Sequence, residues 1–463
     1  MKDNRTLLTA LLLAPLAALH AAEAQAHSKP NIIFILADDL GIGCVSSYGA
    51  DHFKTPNIDK LAGSGIRFDH CYASPLCGPT RALLMTGRYA YHTGMTGNGT
   101  GSLLKPENEI MMPRVLKPAG YVTAQVGKWN QLPLQPADWG FDEYLRFQGS
   151  GKYWNTQKQA QNYTVNGKEV PLRDGEYLPD TMQKFAVDFI TRHKDQPFYL
   201  YYAMSHVHAQ ILPTPDSAPG TKDPFKLYQD NVAYMDKLVG KLIAELDRLK
   251  LRDNTLIVFA GDNGTASQWY QRCTINGGKD LSGHKATMLE CGALVPCIVS
   301  WPGTTPVGKV TQSLINICDF FPTFADVAGA ELPVGVTIDG QGFAAQLRGK
   351  PDGWPRDWIF VELNRNWYDR DASWKFNQSS ELFDMRNAPY AEPLVPADTK
   401  DSEAIAARQH LKTVLDQLDP AGGKVAPGHG NGGGKKAKKK AGKRNAGRVA
   451  ENNDGGNANA PDE

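Results

Sequence analysis

Several short runs of apolar residues recur along the chain, and each predicts a buried strand. Asn31–Ala37 (NIIFILA) is the first, and Thr255–Ala260 (TLIVFA) has the same character. Neither run alternates with polar residues, which is typical of parallel strands that are covered on both faces. Four further runs also predict strands: Ile66–Tyr72, Tyr121–Gly127, Phe198–Met204 and Pro296–Trp301.

Helical patterns lie between these runs. In Thr55–Gly65, Thr55 can cap a helix, Pro56 suits its first turn and glycines end it. Lys226–Lys250 carries a stripe of apolar residues at helical spacing, and Arg81–Gly87 predicts a helix start closed by glycine. This alternation of strands and helices predicts an α/β fold, with a mostly parallel central sheet and helices on both faces.

The pattern changes after about residue 335. Short segments such as Trp358–Leu363 and Ser380–Asp384 predict a smaller antiparallel α+β subdomain at residues 336–418, following a larger domain at 27–335. Residues 419–463 consist mainly of Gly, Lys, Asn and Ala without an apolar face, and predict a disordered basic tail.

The N-terminus has the pattern of an export signal. Lys2 and Arg5 precede the apolar run Leu7–Leu19, and small residues follow up to Ala26. We therefore expect a signal peptide at residues 1–26 and a periplasmic or extracellular protein. No other stretch approaches the roughly 18 consecutive apolar residues of a membrane span.

Charge is distributed unevenly along the 463 residues. The net charge is +1, but residues 420–463 carry nine Lys/Arg and four Asp/Glu, which leaves −4 for the rest of the chain. No aromatic interleaving or recognisable module accompanies the basic tail, which argues against a nucleic-acid partner. We expect a solvated end, with attraction to polyanions as an alternative.

Polar pairs follow two of the predicted buried strands. Asp38-Asp39 comes directly after the first strand, and Asp262-Asn263 lies just beyond the run that ends at Ala260. Because the carboxyl ends of parallel strands meet at one sheet edge, these residues are candidates for a single site. Carboxylate and amide oxygens suit a hard divalent cation.

The segment Cys77-Gly78-Pro79-Thr80-Arg81, continuing as Ala-Leu-Leu-Met-Thr-Gly-Arg, gives the chain a family resemblance. The chain resembles the type I sulfatases, the formylglycine-dependent members of the alkaline-phosphatase superfamily. Supporting matches are PNIIFILADDLG, TPNIDKLAGSGIRF, GKW, GDNG, GHKATMLECGALVP and ELFDMRN. The resemblance implies an alkaline-phosphatase-like fold and hydrolysis of a sulfate monoester on a carbohydrate or an aryl group.

The resemblance also implies a modified residue and a metal. Cys77 would be converted to 3-oxoalanine (formylglycine) by a maturation enzyme, and its hydrate would attack the sulfate ester. The implied ligands of one Ca²⁺ or Mg²⁺ ion are Asp38, Asp39, Asp262, Asn263 and the modified Cys77.

Four other matched positions carry implied roles. Arg81 would hold the hydroxyl of the formylglycine hydrate, and Lys128 and Lys285 would clamp the sulfate and disperse its charge. His208 would protonate the leaving alcohol, with His206 as the nearby alternative.

One position departs from the family pattern. Many members have Gly-Lys-Trp-His, but this chain has Asn130 after Gly127-Lys128-Trp129. Since an amide does not take up a proton near neutral pH, His206 or His284 would have to serve instead, or the last step would be slower. This departure keeps open a non-catalytic binder of sulfated ligands. A second alternative is a phosphonate or phosphate ester hydrolase of the same superfamily, which shares the metal ligands and can share the modified Cys.

Seven cysteines are present. If Cys77 is modified, the other six allow up to three disulfides, and buried free thiols are the equal alternative. Oligomeric state is open.

Overall fold

The computed structural model describes residues 29–129, 131–155, 162–350, 353 and 356–425. The predicted signal peptide, Asn130 and residues 426–463 of the predicted tail lie outside these ranges. The strands of the central sheet are β1 (Asn31–Ala37), β2 (Ile66–Tyr72), β3 (Val122–Lys128), β4 (Glu143–Phe147), β5 (Asn162–Val165), β6 (Lys168–Pro171), β7 (Phe198–Ala203), β8 (Thr255–Gly261), β9 (Leu294–Ser300), β10 (Lys309–Thr311) and β11 (Ile315–Asn316).

A second sheet and a set of α-helices complete the described elements. The second sheet contains β12 (Ile359–Leu363), β13 (Asn366–Arg370), β14 (Trp374–Asn377), β15 (Leu382–Asp384) and β16 (Leu394–Val395). The helices are α1 (Pro56–Gly63), α2 (Cys77–Thr86), α3 (Ala90–Thr93), α4 (Met112–Leu116), α5 (Leu178–Arg192), α6 (Pro224–Arg248), α7 (Glu290–Ala293), α8 (Phe320–Ala328), α9 (Ala344–Leu347) and α10 (Ser402–Leu418).

The central sheet has the strand order β10-β2-β9-β8-β1-β7-β3-β4-β5-β6, and β11 pairs with the end of β2. Strands β8, β1, β7, β3 and β4 form a continuous parallel block. Strand β9 is antiparallel to both of its neighbours, and β5 and β6 are antiparallel additions at the other edge. The prediction of a mostly parallel central sheet is confirmed.

Helices cover both faces of this sheet. Ile32, Phe34 and Leu36 of β1 belong to one hydrophobic cluster, together with residues of α2, α4 and α8. The alternate residues Ile33 and Ile35 belong to a second cluster with residues of α1, α5 and α6. All seven residues of β1 are buried, which explains the absence of polar alternation in the sequence.

The helix predicted to start at Arg81 begins four residues earlier, at Cys77. Its end is as predicted, because Gly87 takes the left-handed conformation (φ +68°) that closes a helix. All seven cysteines are buried free thiols, and Cys44 Sγ lies 3.5 Å from Cys273 Sγ.

The predicted antiparallel C-terminal sheet is also present. Its five strands pair in chain order from β12 to β16, and α10 packs against β13 and β14. The chain continues past α10 into a short 3₁₀ turn at Pro420–Gly422, and Lys424 Nζ then lies 3.0 Å from Glu109 Oε1. Within the described ranges, no helix combines the length and the apolar character that crossing a bilayer requires.

A buried ion pair connects the C-terminal sheet to the central domain. Arg370, at the end of β13, donates a hydrogen bond to Glu290 of α7, and both side chains are almost completely buried. Tyr72 at the end of β2 donates a second hydrogen bond to the same carboxylate oxygen at 2.6 Å. Glu290 therefore joins three elements that are far apart in sequence.

Replacing Arg370 by alanine should destabilise the protein strongly, because Glu290 would be left buried without a cation. We expect a loss of about 3–5 kcal/mol in the free energy of unfolding, measured by urea denaturation. Arg386→Ala in the same subdomain removes an exposed pair with Asp384, which water screens, and should cost far less stability. Equal losses for the two variants would contradict this account.

Candidate active site

Two pairs of polar residues meet at the carboxyl edge of the central sheet. Asp38 and Asp39 follow β1 directly, and Asp262 and Asn263 follow β8, its parallel neighbour. The backbone N–H of Asp39 donates to Asp262 Oδ1 at 3.0 Å, and Asn263 Nδ2 donates to Asp39 Oδ1 at 2.9 Å. Asp39 is left-handed (φ +61°), so the chain turns sharply where β1 ends. The four residues predicted from the two strand ends therefore lie together.

Cys77 also lies at this site, although it belongs to a different segment of the chain. It is the first residue of α2 and is 1% exposed. Potential ligand atoms of Cys77, Asp38 and Asp262 all lie within 4.8 Å of one another. Burial raises the pKa of the Cys77 thiol, and the opposing charge of Lys128 does not offset this.

Arg81 lies one helical turn after Cys77 and is fully buried. Its Nη2 is 2.7 Å from Asp262 Oδ2, and its Nη1 donates to Tyr201 Oη at 3.2 Å and to the Lys128 carbonyl at 3.3 Å. The guanidinium is thereby held in one orientation, with its charge directed at the carboxylates.

Two lysines complete the cluster. Lys128, the last residue of β3, places Nζ 2.8 Å from Asp38 Oδ2. Lys285, in the loop before α7, places Nζ 2.8 Å from Asp39 Oδ1. Together with the pair between Arg81 and Asp262, these contacts match three cations with three carboxylates in a largely water-free space. This balance makes the burial of so many charges tolerable.

The carboxylates nevertheless differ in proton affinity. Burial raises the pKa of Asp262 and the neighbouring charge of Asp38 raises it further, so it stays above its ordinary value despite Arg81 and Lys128. Burial also raises the pKa of Asp38, but Lys128, His208 and Arg81 together bring it below its ordinary value. Such a split is expected when two like charges share one buried site.

The two candidate histidines lie in different surroundings. His208 is 17% exposed, its Nε2 is 3.8 Å from Asp39 Oδ2, and its Nδ1 donates to the Ala209 carbonyl at 2.6 Å. His206 is completely buried among Tyr153, Tyr177 and Tyr234, and burial lowers its pKa to about 3. A histidine that stays neutral and enclosed does not suit proton donation to a substrate.

The ring of His284, the other alternative, is held by two neighbours. Its Nδ1 is bonded to the Lys285 carbonyl at 2.8 Å, and its ring lies 4.4 Å from that of Tyr270. Asn130 lies outside the described residues, so its position is not part of this description.

The donor set fits a hard divalent cation. Asp38, Asp39 and Asp262 supply carboxylate oxygens, and the side-chain oxygen of Asn263 is buried without a hydrogen-bond partner. A buried oxygen acceptor with no donor is costly, and coordination to a cation would satisfy it. The residues that the sequence predicts as metal ligands therefore lie close together and carry oxygen atoms that suit a divalent cation.

The sequence reasoning missed two residues at this site. Tyr201 lies in the middle of β7 and accepts the hydrogen bond from Arg81, but a tyrosine in an apolar run carries no sign of this role. Asn98 contacts the Cys77 thiol through its side-chain amide. Its setting between Gly97 and Gly99 indicates a tight loop, which is the one signal that could have drawn attention to it.

Comparisons with known proteins find related sequences over most of the chain. The sulfatase family model matches residues 30–330. Rat (Rattus norvegicus) arylsulfatase G is 33% identical over 373 residues, covering 70% of this chain and 69% of that protein. Dog (Canis lupus familiaris) N-acetylgalactosamine-6-sulfatase is 35% identical over 361 residues, covering 71% and 68%.

Solved structures show the same fold. The crystal structure of Ps i-CgsB superposes with a TM-score of 0.73 at 29% identity, covering 84% of this chain and 93% of that one. The same protein has been solved in complex with k-i-k-neocarrahexaose, with a TM-score of 0.73 at 28% identity and the same coverage of both chains.

Removing divalent cations should lower the thermal stability of the protein, because three carboxylates and an unpaired amide oxygen converge at the site. At calcium a hundredfold above the dissociation constant, the gain over EDTA-treated protein should be about 2.7 kcal/mol, visible in thermal unfolding. Asp262→Asn should abolish most of this gain. Asp188→Asn, an exposed carboxylate on α5, should leave it intact. A wild-type protein indifferent to calcium and EDTA would refute the cation site.

Proposed function

This chain belongs to the sulfatase family and is a sulfuric ester hydrolase, and we propose that residue 77 carries the group that attacks a sulfate monoester. The observation that carries the proposal is the Cys77 side chain, set among Asp38, Asp262 and the ammonium groups of Lys128 and Lys285. A sulfate ester is anionic and repels nucleophiles, so its cleavage requires cationic groups beside the attacking group that can pair with the ester.

We propose that Cys77 acts after oxidation to formylglycine, whose hydrate carries the attacking hydroxyl. The resident cation would be Ca²⁺ or Mg²⁺, held by Asp38, Asp39, Asp262, Asn263 and residue 77. When bound, it would lower the pKa of that hydroxyl and polarise the sulfate. An unmodified thiol is poorly suited to this role, because burial raises its pKa and keeps it protonated.

The cationic side chains of the site would have different roles. Lys128 and Lys285 are the candidates for binding the sulfate oxygens, because each carries a compact ammonium group with three donors on a flexible stem. Lys128 is fully buried, whereas Lys285 is 18% exposed at its side chain. Arg81 is held by three hydrogen-bond partners. It is therefore suited to orienting residue 77 rather than to binding the sulfate.

His208 is the proposed general acid. Because its Nδ1–H is engaged with the Ala209 carbonyl, the exchangeable proton of the imidazolium lies on Nε2, the nitrogen near Asp39. Its partial exposure allows contact with a substrate alcohol, unlike the enclosed His206. Protonation of the leaving oxygen prevents the release of an unstable alkoxide.

A sulfated carbohydrate is the substrate class that we favour over an aryl sulfate. The structural neighbour Ps i-CgsB has been solved with a bound neocarrahexaose, and one relative is named an N-acetylgalactosamine-6-sulfatase. The carry-over rests on the shared fold and family, and the loops that select a substrate vary within one fold.

Further proposals concern the whole chain. Residues 1–26 would direct export to the periplasm or beyond, and a formylglycine-generating enzyme would modify Cys77. Residues 27–335 would form the catalytic domain, and residues 336–418 a supporting subdomain. Residues 419–463 would form a basic tail whose first part returns to the body through Lys424.

Mass spectrometry of the peptide containing Cys77 tests the central proposal. We expect a mass about 18 Da below that of the unmodified peptide, the difference between a thiol and an aldehyde side chain. Cys77→Ala should eliminate sulfate release, whereas Cys291→Ala, which alters a buried cysteine outside the site, should retain it. Full activity with an unmodified Cys77 would overturn the proposal.

His208→Ala should slow hydrolysis in a way that depends on the leaving group. For a sugar sulfate we expect kcat to fall by roughly 10²–10⁴, and for 4-nitrophenyl sulfate by much less, because a good leaving group needs no proton. His193→Ala, remote from the site and bonded to Glu143, is the control. An equal loss with both substrates would assign the proton to another group.

A further inference from the structure

Asn98 is in direct contact with the residue that would be modified. It lies in the loop between α3 and α4, and its Nδ2 is 3.6 Å from Cys77 Sγ. Within the described part of the chain, the hydrogen bonds of the Cys77 thiol are all with this one side chain. No histidine in that part shares the contact, although the family pattern would place one near this residue.

The oxygen of the Asn98 amide is identified by a hydrogen bond. The backbone N–H of Gly78 donates to Asn98 Oδ1 at 3.0 Å, and Cys77 Sγ lies 3.6 Å from Nδ2 and 3.7 Å from Oδ1. The amide therefore offers an N–H donor from Nδ2 to the side chain at position 77. Sulfur is a weak acceptor, whereas the oxygen of an aldehyde or its hydrate is a strong one.

The packing of Asn98 against α2 requires a glycine, which has no side chain, at position 78. A Cβ on Gly78 would lie 2.6 Å from Asn98 Oδ1 and 2.9 Å from the methyl carbon of Met95. Gly78 has ordinary backbone angles, so the requirement for glycine is one of space rather than conformation. Gly78 and Asn98 thus form a matched pair.

The loop that carries Asn98 is braced from two directions. Thr100 Oγ1 donates to the Gly97 carbonyl at 2.7 Å and accepts from the Gly97 N–H at 3.1 Å. The backbone N–H of Asn364, in the turn between β12 and β13, donates to the Thr96 carbonyl at 2.7 Å. The C-terminal sheet therefore helps to hold Asn98 against residue 77.

We propose that Asn98 is a positioning residue for the side chain at position 77, holding it by an N–H···O hydrogen bond once that side chain carries oxygen. The inference rests on the proposed function, because it assumes that Cys77 becomes an aldehyde. It assigns to an amide the task of restricting this side chain to the orientation that faces Asp38 and Asp262. Asn98 does not exchange protons in this role, and Gly78 serves it by leaving room.

The test compares Asn98→Ala, Gly78→Ala and the double variant with wild type, using Asn108→Ala as a control. Asn108 is an exposed asparagine in the same connection between α2 and β3. Aldehyde content is measured by peptide mass, and the reactivity of residue 77 by its rate of labelling with an aminooxy probe in the absence of substrate. Turnover gives kcat and KM separately.

We expect normal aldehyde content in all variants, faster labelling in the three site variants, and a kcat reduced roughly tenfold with KM unchanged. Because Gly78→Ala acts by displacing Asn98, adding it to Asn98→Ala should have little further effect. Additive losses in the double variant, or labelling and kcat equal to those of wild type, would overturn the inference.

The experiment distinguishes a failure of the proposed role of Asn98 from a failure of the proposed function. A modified, active wild type whose Asn98→Ala form behaves identically contradicts the role of Asn98 alone. A wild type with an unmodified Cys77 contradicts both the role of Asn98 and the proposed function. A lowered melting temperature with unchanged labelling would show a structural role only, and so would also overturn the inference.

Discussion

The charge balance of the buried cluster is the constraint on which the site depends. Asp38, Asp39 and Asp262 are withdrawn from water, and each is matched by an amino or guanidinium group within 3 Å. Unmatched, any one of these charges would cost several kcal/mol in a dry interior. The cluster is therefore a single electrostatic unit, although its members come from segments spread from residue 38 to residue 285.

The parallel sheet brings these segments together. Ala37 lies opposite Gly261 in the pairing of β1 with β8, so the residues that follow them emerge at the same level. Strand β3 delivers Lys128 to the same edge, and α2 begins with Cys77 beside it. The C-terminal sheet lies outside this edge but fixes its surroundings, through Arg370 on Glu290 and Asn364 on Thr96.

Much of this could be predicted from the sequence. Apolar runs located β1 and β8 almost to the residue, and the rule that ligands gather at strand ends then placed Asp38 with Asp262. The resemblance supplied candidates for the cations, and the structure brings Arg81, Lys128 and Lys285 into one cluster.

What could not be predicted depends on contacts between distant loops. His206 and His208 are two residues apart, and only the packing of three tyrosines around one of them separates their chemistry. The flanking glycines indicate the loop of Asn98, but they do not predict its contact with Cys77, which requires the fold of that loop and the absence of a Cβ at Gly78. The antiparallel direction of β9 is likewise set by its neighbours rather than by its own apolar pattern.

The left-handed backbone of Asp39 has a consequence for how this site can change over time. A non-glycine residue in that conformation costs about 1 kcal/mol or more, and glycine would relax it. Such a replacement would relax the backbone, but it would also leave the largely buried ammonium group of Lys285 without its carboxylate. An unmatched buried charge costs more than the backbone conformation does. Position 39 is therefore closed to the one substitution that would relieve its strain, and the charge balance keeps an acidic residue in a conformation that its backbone disfavours.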